Sequence, residues 1–156
     1  MSSMDTRLDS LSSACRTKVI CVLARLVERG IAVKIVQTSR TLEEHAQNIA
    51  NGTSKTAHSK HLPRWLRGLD FPHNDPDLMQ ADAIDLCPFE VYELHGPDKL
   101  QWDAVDPAFR AIGEEGERED LRWGGRWYVP RDPGHLELIL SDDDRVRATE
   151  ERARRS

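Results

Sequence analysis

No apolar run approaches the roughly 20 residues that a membrane span requires, and Met1-Ser-Ser-Met-Asp-Thr-Arg-Leu8 lacks the basic-then-apolar pattern of a secretory leader. Synthesis in the cytoplasm without a signal peptide is therefore expected, with action elsewhere depending on release by other means. Cysteine is scarce. Cys15, Cys21 and Cys87 are odd in number and form no CxxC pair, which favours buried free thiols over disulfides or metal ligation. Positive charge is not in surplus either: 27 acidic against 22 basic residues give −5, too few cations to neutralise phosphates, so a nucleic-acid partner is not expected. No internal repeat is present. The 156 residues suffice for one core but not for two domains, and 38% hydrophobic with 31% charged residues is an ordinary globular composition.

Leu8, Leu11, Cys15, Val19, Val22 and Leu26 recur at three- and four-residue steps, predicting a helix from about Asp5 to Arg29 stopped by Gly30. The β-branched run Ile31 to Gln37 predicts a strand. Thr41-Leu-Glu-Glu44 has capping-box spacing for a helix ending near Gly52. From Pro63 to Met79 prolines, Gly68, Asn74 and Asp75 break every periodicity, predicting a long loop. Ala81–Leu86, a weaker Val91–Leu94, Arg122–Val129 and Leu136–Leu140 read as further strands. Asp106-Pro107 caps a short helix carrying Phe109 and Ile112. After Ser141 five acidic residues mix with five arginines and no broad apolar face, predicting a frayed helix or disorder. The expected organisation is one domain over 1–140 and a charged tail over 141–156.

Three distant segments read together as a metal site: Ser54-Lys-Thr-Ala-His-Ser-Lys-His61, Ala81-Asp-Ala-Ile-Asp-Leu86, and Trp123-Gly-Gly-Arg-Trp127 leading to Asp132-Pro-Gly-His-Leu-Glu-Leu138. His61, Asp85 and His135 would supply two imidazoles and a carboxylate and leave a position open, as a hydrolytic zinc site requires. Asp132 would then serve as base. Strand alternation sets Ala81, Ala83 and Asp85 opposite Ile84 and Leu86, and His135 and Glu137 opposite Leu136, Leu138 and Leu140. Each segment alone is equally an ordinary strand with an exposed acid or an edge histidine; their combination carries the reading. His58 and His73 compete with His61 as ligands, and Asp70 competes with Asp85. Glu137 is the rival base, or a partner that orients a ligand imidazole. Trp123 and Trp127 read as core and site-wall residues.

In order and approximate spacing, Ser-Lys-Thr-x-x-Ser-Lys-His-Leu (54–62), Ala-x-Asp-Leu (83–86), Trp-Gly-Gly-x-Trp (123–127) and Asp-x-x-His-x-Glu (132–137) resemble the phage and bacterial L-alanyl-D-glutamate peptidases. These belong with the D-Ala-D-Ala carboxypeptidases and dipeptidases of vancomycin-resistance type. The likeness runs from about Arg7 to Leu140. It implies an α+β fold, a small antiparallel sheet flanked by helices as in the hedgehog and D-Ala-D-Ala-peptidase fold. It also implies one zinc held by His61, Asp85 and His135, Asp132 as catalytic base, and Arg40 and Ser59 in contact with substrate. Arg40 lies in Thr38-Ser-Arg-Thr-Leu-Glu-Glu44, which resembles the family's arginine-bearing segment, and a guanidinium fork suits a substrate carboxylate. One departure stands out. The family's histidine and aspartate lie seven apart in His-x-x-Gly-x-Ala-x-Asp, whereas His61 and Asp85 lie 24 apart, an insertion of about 17 residues that loop entropy tolerates.

The function expected is hydrolysis of the L-Ala–D-Glu bond of peptidoglycan stem peptides by a monomeric, endolysin-like enzyme that acts on the cell wall after release. The same chemistry on D-Ala-D-Ala termini is one alternative. A catalytically inactive wall- or metal-binding module is another. The inserted loop is expected to form part of the substrate cleft or to act as a lid.

Overall fold

The computed structural model describes residues 4–54, 59–67, 71–89, 99–128 and 131–154. The fold is α+β, with helices α1 (Ser13–Glu28), α2 (Leu42–Ala50), α3 (Pro107–Arg118) and α4 (Asp142–Ala153). The strands are β1 (Val33–Gln37), β2 (Ala83–Pro88), β3 (Leu121–Trp123) and β4 (His135–Leu138), paired antiparallel in the order β1-β2-β4-β3.

One face of this sheet makes the core. Ile84, Leu86, Leu136 and Leu138 are buried against Cys15, Val19, Val22 and Leu26 of α1 and Phe109 and Ile112 of α3. The period-2 alternation then turns Ala83, Asp85, His135 and Glu137 to the other face, and the register pairs Asp85 with His135 and Ala83 with Glu137. So the two central strands bring an acid and an imidazole side by side. No described helix is long and apolar enough to cross a membrane.

Several boundaries differ from the sequence expectation. The first helix does not start near Asp5. Leu8–Ser10 forms one 3-10 turn, Leu11 bridges to Ala81, and Ser12 caps α1 by accepting from the Cys15 amide. The strand expected from Arg122 ends at Trp123, because the Gly124 carbonyl accepts from the Asp132 amide and Gly124–Arg126 coils into a 3-10 turn. Gly124 has no room for a side chain: a Cβ there would sit 2.4 Å from the Asp132 carbonyl oxygen. Leu140, expected to face the core, lies outside β4 and is exposed. Val91–Leu94 lies outside the described residues. The segment after Ser141 is neither frayed nor disordered but forms α4. The Ser141 side chain caps it, Ala148 is buried, and Arg122 of β3 reaches Glu151 through two bonds of 2.9 and 2.6 Å.

The insertion is a closed structure. Its two ends meet where the Asp82 amide donates to the Lys60 carbonyl at 2.9 Å. Within it, Arg64–Leu66 forms a 3-10 turn whose amides reach Leu78 and Gln80. The buried Asp82 carboxylate takes Arg64 at 2.8 and 2.9 Å, Arg67, and the Ser12 hydroxyl at 2.5 Å. Burial alone would raise the Asp82 pKa, but these donors outweigh it and hold the group below its ordinary value. Asp77 anchors the far side of the loop on Ser13, at the start of α1.

Candidate metal centre and cleft

His61, Asp85 and His135 converge from three places in the chain, each offering one ligand atom within 4.8 Å of the others. His61 enters from the loop before the insertion. Its Nδ1 lies 2.7 Å from the Thr38 carbonyl oxygen, and since a carbonyl only accepts, Nδ1 is the donor there and Nε2 is the nitrogen turned to the cluster. That Nε2 is buried without a hydrogen-bond partner and lies 3.1 Å from Asp85 Oδ1. The same oxygen is 3.0 Å from His135 Nδ1. A nitrogen this close to an anionic oxygen needs a proton or a metal cation between the two. Tetrahedral zinc with ligand bonds of ~2.0–2.2 Å separates neighbouring ligand atoms by roughly 3.3 Å, close to both spacings, so the donor set fits such an ion.

The second ring nitrogen of His135 is 2.9 Å from Glu137 Oε1, which fixes the imidazole's orientation. Glu137 is held in turn by Lys60 at 2.9 Å and Arg122 at 3.5 Å. Burial opposes the charge on both His135 and Glu137. Nevertheless the carboxylates flanking His135 raise its pKa, while His135 and Lys60 drive that of Glu137 well down. The turn before β4 is fixed from two sides. Trp123 Nε1 donates to the Pro133 carbonyl at 2.7 Å, and the Leu86 amide donates to Gly134. A Cβ on Gly134 would lie 2.2 Å from the Leu86 carbonyl oxygen, so only glycine lets β2 approach this closely.

Asp132 lies at the start of this turn, half-exposed, with Oδ2 4.0 Å from His135 Nδ1. Burial raises its pKa, His135 pulls the other way, and the Asp85 charge adds to the rise. These residues open into a cleft of about 760 Å³ that also exposes Arg40, Ser59 and Trp127. Arg40 donates to Gln37 Oε1 at 3.0 and 3.2 Å and to Ser59 Oγ at 3.4 Å, and contacts His45. Among the described residues it has no ion pair. Burial lowers its pKa against the charges of Asp85, Glu44 and Asp132.

Every site residue expected from the sequence thus borders one cleft or its metal cluster. Of the competing ligands, His58 and Asp70 lie outside the described residues, and His73 is exposed and apart from the cluster. Trp123 is buried, whereas Trp127 stands 5.0 Å from the His135 ring and forms a wall. None of the inserted loop's described residues lines the cleft, since contacts to Asp82 and Ser13 hold them toward α1. Sequence reasoning missed Lys60, Arg122, the Thr38 carbonyl and the contribution of α4. The cross-strand pairing of Arg122 with Glu137 was available once the register was known. A backbone carbonyl such as that of Thr38 leaves no trace in residue type.

The model of the family described as phage L-alanyl-D-glutamate peptidase matches residues 4–139. The chain belongs to this family. A relative within reach of sequence comparison is the L-alanyl-D-glutamate peptidase of Escherichia phage T5, 32% identical over an alignment of 119 positions that covers 67% of this chain and 74% of that protein. The fold is also similar to the crystal structure of the Serratia marcescens L-Ala D-Glu endopeptidase ChiX, with a TM-score of 0.60 at 15% identity, covering 88% of this chain and 86% of the other. The family match ends at residue 139, so α4 lies beyond it.

Proposed function

We propose that this chain is a zinc peptidase of the cell wall that hydrolyses the L-Ala–D-Glu bond of peptidoglycan stem peptides, as an endolysin does. The observation that carries the reading is the His61–Asp85–His135 cluster at an open cleft, with Asp132 beside it and, on its flank, Arg40, which has no ion pair among the described residues. Two imidazole nitrogens and a carboxylate oxygen would hold the ion. Zinc bound there supplies a Lewis acid that activates water and polarises a carbonyl. Asp132 takes the proton of the attacking water on its carboxylate and delivers it to the leaving amine. Burial raises its pKa above the ordinary carboxylate value. Arg40, steadied by Gln37 and Ser59, binds a substrate carboxylate. Glu137 keeps His135 in its ligating orientation.

Zinc analysis paired with digestion of purified peptidoglycan and mass analysis of the fragments tests this. The wild-type chain is expected to carry one zinc and to release stem peptides cut after L-alanine. Asp132→Asn keeps the metal while its rate falls by roughly 10²–10⁴-fold, as for loss of general-base catalysis. Release of terminal D-alanine instead would assign the same site to D,D-carboxypeptidase chemistry. Bound zinc without any cleavage would make the chain a binding module.

A further inference from the structure

The four described arginines of α4 and its C-cap, the cap being Arg154, fall into two pairs by environment. Arg145 and Arg152 point away from the cleft and are neutralised: Arg145 holds Asp120 through bonds of 2.7 and 2.6 Å, and Arg152 reaches Asp120, Glu117 and the Leu121 carbonyl. Arg147 and Arg154 line the cleft. They lie seven residues apart on one helical stripe with Asp144 and Glu151, but those two acids are already committed. Asp144 accepts from Lys60 at 2.6 Å and from the Leu140 amide, and Glu151 takes both bonds of Arg122. Arg147 has no ion pair among the described residues. Arg154 has only a 3.9 Å approach to Glu151, and its guanidinium lies over the Tyr128 ring at 4.2 Å. In a chain of net charge −5, the cleft wall made by α4 therefore carries unbalanced positive charge.

The sheet order sets where this charge stands. Arg40 follows edge strand β1, α4 is bonded to the opposite edge strand β3, and Asp85 and His135 come from the two strands between. From β1 to β3 is three inter-strand steps, about 14 Å, which is about four residues of extended peptide. We propose that Arg147 and Arg154, with Tyr128, form a second anion subsite. It takes a carboxylate of the substrate on the side of the metal cluster opposite Arg40, so that the cleft selects a short peptide bearing an acid toward each end. This deepens the proposed peptidase reading and rests on it for the identity of the peptide. The wall belongs to a helix beyond the family-matched span.

The test uses the full chain carrying Asp132→Asn, so that bound peptide is not turned over. Two probes are compared by titration calorimetry: a four-residue stem peptide ending in a free carboxylate and the same peptide ending in a carboxamide. The carboxylate form is expected to bind roughly tenfold tighter, as a charge-assisted contact allows. Adding Arg147→Gln and Arg154→Gln should abolish that preference, and Arg145→Gln should retain it. Equal binding of the two peptides before the arginines are changed, or a preference that survives their loss, overturns the subsite. Failure of the wild-type chain to cut peptidoglycan, with the carboxylate preference intact, would instead overturn the peptidase reading and leave the subsite standing.

Discussion

Lys60 has a position that its place in Ser-Lys-His does not announce. Its ammonium is nearly buried and donates to Leu138 O at 2.6 Å and Asp144 at 2.6 Å while pairing with Glu137 at 2.9 Å. Glu137 touches the His135 imidazole, so at the proposed metal site the lysine would act through one carboxylate. Partners of this outer kind alter metal affinity by roughly 10–100-fold. Lys60→Met is therefore expected to weaken zinc binding about tenfold in chelator competition, and the effect should largely vanish in a Glu137→Gln background. Equal losses in both backgrounds would show that the lysine supports the fold rather than the ligand. The two acids of the site separate on the same logic. Glu137 faces the remote nitrogen of His135, and Asp132 faces the cleft. Glu137→Gln should lower metal affinity more than turnover of fully loaded enzyme, the reverse of Asp132→Asn. If Glu137→Gln abolishes turnover at full zinc occupancy while Asp132→Asn keeps it, their roles are exchanged.

Among the elements, the insertion shows what local pattern can and cannot reveal. Its proline-rich stretch read correctly as non-periodic, and the capping box of α2 and the cap of α3 were legible because capping chemistry is local. The convergence of His61, Asp85 and His135 was legible through the short motif around each. The destination of the loop was not, because it depends on Asp82, a residue that alternation alone would leave as an unremarkable polar position. In the fold it is fully buried among Arg64, Arg67 and Ser12. The amphipathic character of α4 was hidden for a similar reason: its buried contact is an arginine–glutamate pair rather than an apolar stripe.

Deleting 64–79 and closing with a short turn would strip Asp82 of both guanidinium partners, a loss of about 3–5 kcal/mol for an uncompensated buried charge. The deletion should fold well only when combined with Asp82→Ser, which denaturant melts of the two variants would reveal. Acidification reports on the same contact. The folded pKa of Asp82 is depressed, so its contribution is complete above the unfolded carboxylate value of about 3.9 and disappears as pH falls through the lower folded value. Asp82→Asn should lower stability at neutral pH and flatten this acid limb of the stability profile.

Across the whole molecule, the three proposed ligand residues join a loop, a central strand and its neighbour, closing chain segments of 24 and 50 residues. A metal held there would bind the native arrangement and not the open chain. At free zinc 100 times its dissociation constant the linkage is worth about 2.7 kcal/mol, or roughly 5–11 °C in melting temperature for a domain of this size. Chelation should produce a shift of that order, restored by zinc, and Asp85→Ala should melt alike with and without chelator. A wild-type melt insensitive to chelation would remove the metal from the proposed function.

The bond between the Asp82 amide and the Lys60 carbonyl also separates two quantities that motif searches treat as one. His61 Nε2 and Asp85 Oδ1 are 3.1 Å apart in space whatever length of chain is looped out behind that bond. A pattern that counts residues from histidine to aspartate would pass this chain over. One that anchors on Ser-Lys-His before the gap and Ala-x-Asp-Leu after it, with the interval left free, would recover it and any sibling carrying a different passenger at the same junction.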